Sequence, residues 1–142
     1  MRVQTHLQDT LNMAVHPEIY HLQPTSFVPN NRLPVLIYRN VLPQPHNEQS
    51  AQEMLEKNHW TKKANSLFGF LLRLTKLQGN VGSTVFQGHP TLLIGRGPHD
   101  NDEERSVSTE LEPGDVIILP AGVAHCSIDG DSDYRSIGLY PE

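Results

Sequence analysis

Eleven prolines and ten glycines cut this chain into short pieces, and that punctuation constrains its fold more than any other feature. A proline inside a helix removes a backbone donor and clashes with the preceding turn. A helical bundle is therefore excluded, and short strands joined by turns are expected. Pro24, Pro29 and Pro34 frame a first extended region, followed by a strand within Leu33–Leu42, LPVLIYRNVL, rich in β-branched and aromatic residues. Pro43 and Pro45 end it. Ser50 stands three residues before Glu53 in the spacing of a capping box, so a helix is expected to begin there. Met54, Leu55 and Asn58–Trp60 would form its apolar side, with Gln52, Glu56 and Lys57 in water.

The next stretch, Ala64–Leu77, satisfies two periods. Leu67, Phe70, Leu71, Leu74 and Leu77 recur at helical spacing, whereas Phe68, Phe70, Leu72 and Leu74 alternate as in a strand. Helix is the preferred reading. From Ser83 a β rhythm takes over: Ser83–Gln87 and Thr91–Ile94 form a hairpin about Gly88, His89 and Pro90. An acidic loop, His99–Arg105, follows. It lacks calcium-loop spacing and reads as solvated. Strands are expected at Ser106–Leu111, Val116–Leu119, Val123–Ile128 and Tyr134–Tyr140.

A length of 142 residues suits one domain, with 1–26 as an N-terminal arm and 83–140 as the core of a barrel. The net charge of −5 supplies no positive field, so nucleic acid is not expected as a partner. Cys126 is the single cysteine, which excludes an internal disulfide framework and fits a reducing compartment. Met1–Tyr20 carries His6, Asp9, His16 and Glu18 without an apolar core, so it does not read as a secretory leader. No run is long enough for a membrane helix, and a cytoplasmic protein without a membrane partner is expected.

The strongest local signal is Gly114–His125, GDVIILPAGVAH. Gly114 permits a tight turn, Pro120 and Gly122 bend the chain between two strands, and His125 opens the next strand. The pattern resembles the second conserved motif of the cupin superfamily, whose members are double-sheet barrels of jelly-roll type. The resemblance to small microbial and fungal cupins of unassigned function extends to Phe27–Leu42, Asn58–Trp60, Val85–Pro98 and Arg135–Glu142. It implies an all-β cupin barrel with a helical segment between about residues 50 and 77, commonly a homodimer. Members of that group usually continue beyond the final YPE, so a closing segment is expected to be missing.

Metal-binding cupins carry a first motif of two histidines, a glutamate and a glycine. If Gly88 is that glycine, the glutamate position falls on Val81 and the histidines near Leu74 and Lys76. None is a ligand of the kind the family uses, which leaves His125 as a residual metal ligand. The other histidines, at 6, 16, 21, 46, 59, 89 and 99, form no pair with ligand spacing. The chain departs from the family over about Thr61–Gly82, through drift or through altered splicing or a mistranslated segment.

Two functions follow from the resemblance. One is a degenerate cupin without the usual metal site and without a cofactor, its barrel lined by Val85, Leu93, Ile117 and Val123 and holding a small molecule, or filled by its own side chains. The other is a metal-dependent oxygenase or isomerase in which His125 and unidentified ligands hold Fe, Mn, Zn or Ni. A third possibility is a poorly folding product whose LFGFLLRL stretch is left exposed.

Overall fold

The computed structural model describes residues 16–64, 81–101, 103–129 and 133–141. Two antiparallel sheets and one helix account for its regular structure. The strands are β1 (Glu18–Tyr20), β2 (Val35–Tyr38), β3 (Trp60–Ala64), β4 (Val81–Gln87), β5 (Thr91–Ile94), β6 (Val107–Glu110), β7 (Val116–Leu119), β8 (His125–Asp129) and β9 (Arg135–Pro141); the helix, α1, is Glu48–Lys57. The larger sheet runs β1-β2-β7-β4-β9-β3 and the smaller β6-β5-β8. Consecutive strands thus pass repeatedly from one sheet to the other, giving an all-β double-sheet sandwich of jelly-roll type.

Strand alternation splits the larger sheet into two faces. Val35, Ile37, Val85, Ile117 and Leu119 point inwards and meet Leu92 and Ile94 of β5, Leu111 and Val123, forming one apolar core between the sheets. The outer face carries a second core. There Tyr38, Val116, Phe86 and Ile137 pack with Leu42, Ala51, Met54 and Leu55 beneath α1. The larger sheet is the middle layer of three.

Barrel lining differs from the expectation at one position. Leu92 and Ile94 are buried, whereas Leu93 is half-buried and absent from the core. Leu93 pairs with Cys126, on the face opposite to the Ile94–His125 pair. A four-residue apolar run does not reveal which alternate set faces inwards.

The helix begins earlier than its sequence suggested. Asn47, in an extended conformation, is the N-cap, and its Oδ1 accepts the Ser50 N–H at 2.8 Å. Ser50 therefore lies inside the first turn. Three residues later than Glu56, His59 adopts a left-handed conformation, φ 65°, and the helix has already stopped at Lys57. The helical segment expected to reach Leu77 thus ends there among the described residues: Trp60–Ala64 pairs with β9, and 65–80 lie outside the described residues. Gly82 explains the position of Trp60. A Cβ at residue 82 would stand 3.1 Å from the indole ring, so any larger residue would push the ring a few tenths of an ångström away.

The N-terminal arm also contains structure that composition did not indicate. Glu18–Tyr20 adds an edge strand to β2, with Glu18 opposite Ile37 and Tyr20 opposite Val35. Its anchor is Arg39. The guanidinium donates to both Glu18 carboxylate oxygens at 3.0 and 3.1 Å, to Asp115 Oδ2 at 2.8 Å, to Thr109 Oγ1 at 2.9 Å and to the Glu110 carbonyl at 2.7 Å. Buried Asp115 also accepts the Asn40 and Glu112 backbone N–H groups, both at 2.9 Å. No helix among the described residues is long and apolar enough to cross a membrane.

Candidate functional site

The motif around Gly114–His125 folds as its residues demand. Gly114 takes φ 103° and its N–H reaches the Val85 carbonyl, while its own carbonyl accepts from Val41 and Leu42. A Cβ there would meet the His46 ring at 2.9 Å, so both conformation and space require glycine. After the apolar β7, Gly122 at φ 80° turns the chain and delivers His125 to the first position of β8.

His125 is opposite Ile94, one of the most deeply buried core residues. Directly paired residues share a face, so the imidazole points between the sheets at the end of the barrel. It is partly buried, and its Nδ1 lies 3.1 Å from the Val123 carbonyl. Since that carbonyl can only accept, Nδ1 carries the proton and Nε2 keeps its lone pair. Burial pushes the pKa of His125 below its ordinary value, the Val123 carbonyl opposing in part. The ring is therefore held neutral, a form able to accept a hydrogen bond or to ligate.

Of the first-motif positions that the cupin resemblance implies, one lies among the described residues. Val81, at the expected glutamate position, is the first residue of β4 and is buried; its isopropyl group has no lone pair. Leu74 and Lys76 lie outside the described residues. Cys126 faces the opposite side of β8 from His125, as strand alternation requires, and takes no part. Among the described residues, the cluster of three metal-ligating side chains is His89, Glu110 and Glu112, which sequence spacing did not suggest. Their convergence depends on β5–β6 pairing, invisible in a linear spacing rule.

The barrel end that carries His125 is built around Asn30. Its Nδ2 donates to the carbonyls of Gln23 and Gly95 at 2.7 and 2.8 Å, and its Oδ1 accepts the Ala124 N–H at 3.2 Å. Buried and at φ 49°, it uses a left-handed conformation that asparagine tolerates. Beside it lies an open cleft of about 680 Å³ lined by His21, Leu22, Gln23, Pro24, Pro29, Asn30, Asn31 and Arg32. Leu22 forms the link to the core: a Cβ at Gly95 would stand 2.9 Å from its Cδ2.

No family model matches the chain, and no curated protein does. A solved structure described as "X-Ray structure of E. coli ycfD" is similar, with 15% identity and a TM-score of 0.35 over 78% of this chain and 34% of that one. The chain thus spans about a third of the length of that structure. A likeness of this degree assigns neither a family nor an activity.

Proposed function

We propose that the protein is a degenerate cupin that works by binding, without the metal site of the family it resembles, and that its ligand sits in the cleft at the His125 end of the barrel. One observation carries this reading. Among the described residues, nine buried apolar side chains pack together between the two sheets, with buried Thr109 opposite Leu92, while polar groups gather around the cleft outside. A core of that kind offers a substrate little to hold it. The cleft, in contrast, combines the exposed Arg32 guanidinium and His21 imidazole with the apolar walls of Pro24 and Pro29. Binding sites have that mixture: apolar walls and a few polar groups that orient the ligand.

A small anion, a carboxylate or a phosphate, is the ligand chemistry that Arg32 and His21 favour. Calorimetric titration of the full chain with malonate and with inorganic phosphate tests the proposal. Saturable binding of at least one of them is expected, weakened at least about tenfold in Arg32→Gln, a loss of the size of one charge-assisted hydrogen bond. Absence of binding to the unaltered chain, or equal affinity in Arg32→Gln, would sink the idea.

A second reading, a metal-dependent enzyme of oxygenase or isomerase type, is favoured by the orientation of His125. Its Nδ1 is occupied by the Val123 carbonyl, as metal-binding imidazoles are commonly fixed through their second nitrogen. In that case His125→Ala abolishes metal uptake, measured by elemental analysis of protein purified without chelator. Unchanged metal content in the variant excludes it.

A further inference from the structure

We propose that His89, Glu110 and Glu112 form a surface site for one divalent transition-metal ion, separate from the His125 end of the barrel. Each residue offers one ligand atom, and these atoms all lie within 4.8 Å of one another. His89 Nδ1 is 3.8 Å from Glu110 Oε1. That distance is too long for a hydrogen bond. It suits two ligands on one ion, since bonds of about 2.1 Å place neighbouring donors roughly 3 to 4 Å apart.

The three residues come from separate chain segments held in register. His89 belongs to the turn between β4 and β5, Glu110 ends β6, and Glu112 opens the turn towards Gly114. Glu110 is opposite Thr91 in the β5–β6 ladder, and the Leu111 N–H donates to the Pro90 carbonyl at 2.9 Å. The backbone on both sides of the cluster is therefore fixed before any ion arrives, and only exposed side-chain ends need adjust. Gly88 adds to this rigidity: at φ 79°, a Cβ on it would stand 2.7 Å from Tyr134 Cα.

The donor chemistry selects the class of ion. Calcium and magnesium favour all-oxygen sites, whereas an imidazole nitrogen with two carboxylates suits zinc, nickel or copper. Three protein ligands leave coordination positions for water or for a donor from another molecule. His125 is opposite Ile94, at the other end of β5 from the Thr91–Glu110 pair, so the two histidines serve different ends of the barrel.

The test is titration of chelator-treated full chain with zinc alone, followed by calorimetry and native mass spectrometry. One zinc per chain is expected, with affinity reduced at least about tenfold in His89→Ala and in Glu112→Gln and retained in His125→Ala. The substituted cluster side chains are exposed, and far-ultraviolet circular dichroism checks that each variant stays folded. No binding by the unaltered chain, unchanged affinity in His89→Ala and Glu112→Gln, or loss only in His125→Ala would each overturn the assignment.

Discussion

Thr84 shows how much a single atom matters in this fold. It is fully buried on the helix-covered face of β4, between Val116 and Ile137 in the register, and its Oγ1 is a buried side-chain atom without a hydrogen-bond partner among the described residues. Leaving a buried hydroxyl unpaired costs about 1 to 3 kcal/mol. Thr84→Val keeps the shape and β-branching while removing that atom. The variant is expected to be more stable by about 1 kcal/mol in urea denaturation, the lower part of that range. A loss of stability would show that the hydroxyl has a partner in solution. Thr84 also illustrates what sequence can reveal: a threonine in a β-prone run announces a strand, but whether its hydroxyl finds a partner is decided by β7, β9 and α1. His125 was more legible, because glycine and proline spacing upstream fixes both the bend and the strand start. The carbonyl that orients its ring was not legible, since the Val123–His125 contact depends on local backbone geometry.

At the level of elements, the Arg39 cluster joins β1, the β6 end and the β6–β7 turn through one guanidinium. Asp115 contributes the most protected part, with 5% of its side chain exposed, whereas Glu18 is 41% exposed. Arg39→Met removes the charge but keeps much of the aliphatic length. It is expected to destabilise the protein by about 1.5 kcal/mol, the lower end for a hydrogen bond to a charged group, because buried Asp115 loses the guanidinium but keeps the Asn40 and Glu112 N–H groups. Chemical denaturation checks the value; a change below about 0.5 kcal/mol, the surface-pair range, would show that water replaces the guanidinium there. Sequence could not connect these elements, because Glu18, Arg39 and Asp115 are brought together only by the β1-β2-β7 order. The hairpin expected over Ser83–Ile94 does not form: its two strands and the turn at Gly88, His89 and Pro90 are legible locally, but β4 pairs with β7 and β9 in the larger sheet and β5 with β6 and β8 in the smaller, a choice of long-range partners that local turn residues do not encode. The end of α1 lay between these cases: Asn58, expected on the apolar side, is instead the polar C-cap, its Nδ2 donating to the Met54 carbonyl, and pairing with β9 makes Trp60 a strand residue.

For the whole molecule, two groups make acid the destabilising direction. Burial keeps the folded-state pKa of His125 below the ordinary value of about 6.5, so the unfolded chain binds the first proton more readily. Its contribution is complete above about pH 6.5 and is lost as pH falls towards the depressed value. Hydrogen bonds from Arg39 hold the Glu18 carboxyl below its ordinary value of about 4.5, against an opposing effect of burial. That contribution disappears at lower pH, as the solution falls through the folded value. A fall in melting temperature between pH 7 and 5 is therefore expected, flattened in His125→Gln. An equal fall in that variant would assign the titration to another group.

Strand β1 is three residues long, pairs on one side only among the described residues, and is fastened to Arg39 through its Glu18 carboxylate, which acid can neutralise. Amide exchange should consequently reach Ile19 and Tyr20 before the central β4 and β7. When β1 lifts away, the free edge of β2 offers its ladder groups to any extended chain that meets it, including β1 of a second molecule. The ion pair at Arg39 is thus also a guard against strand exchange, and acidity strong enough to protonate Glu18, below the ordinary carboxylate range, is the condition under which concentrated protein would begin to associate edge to edge.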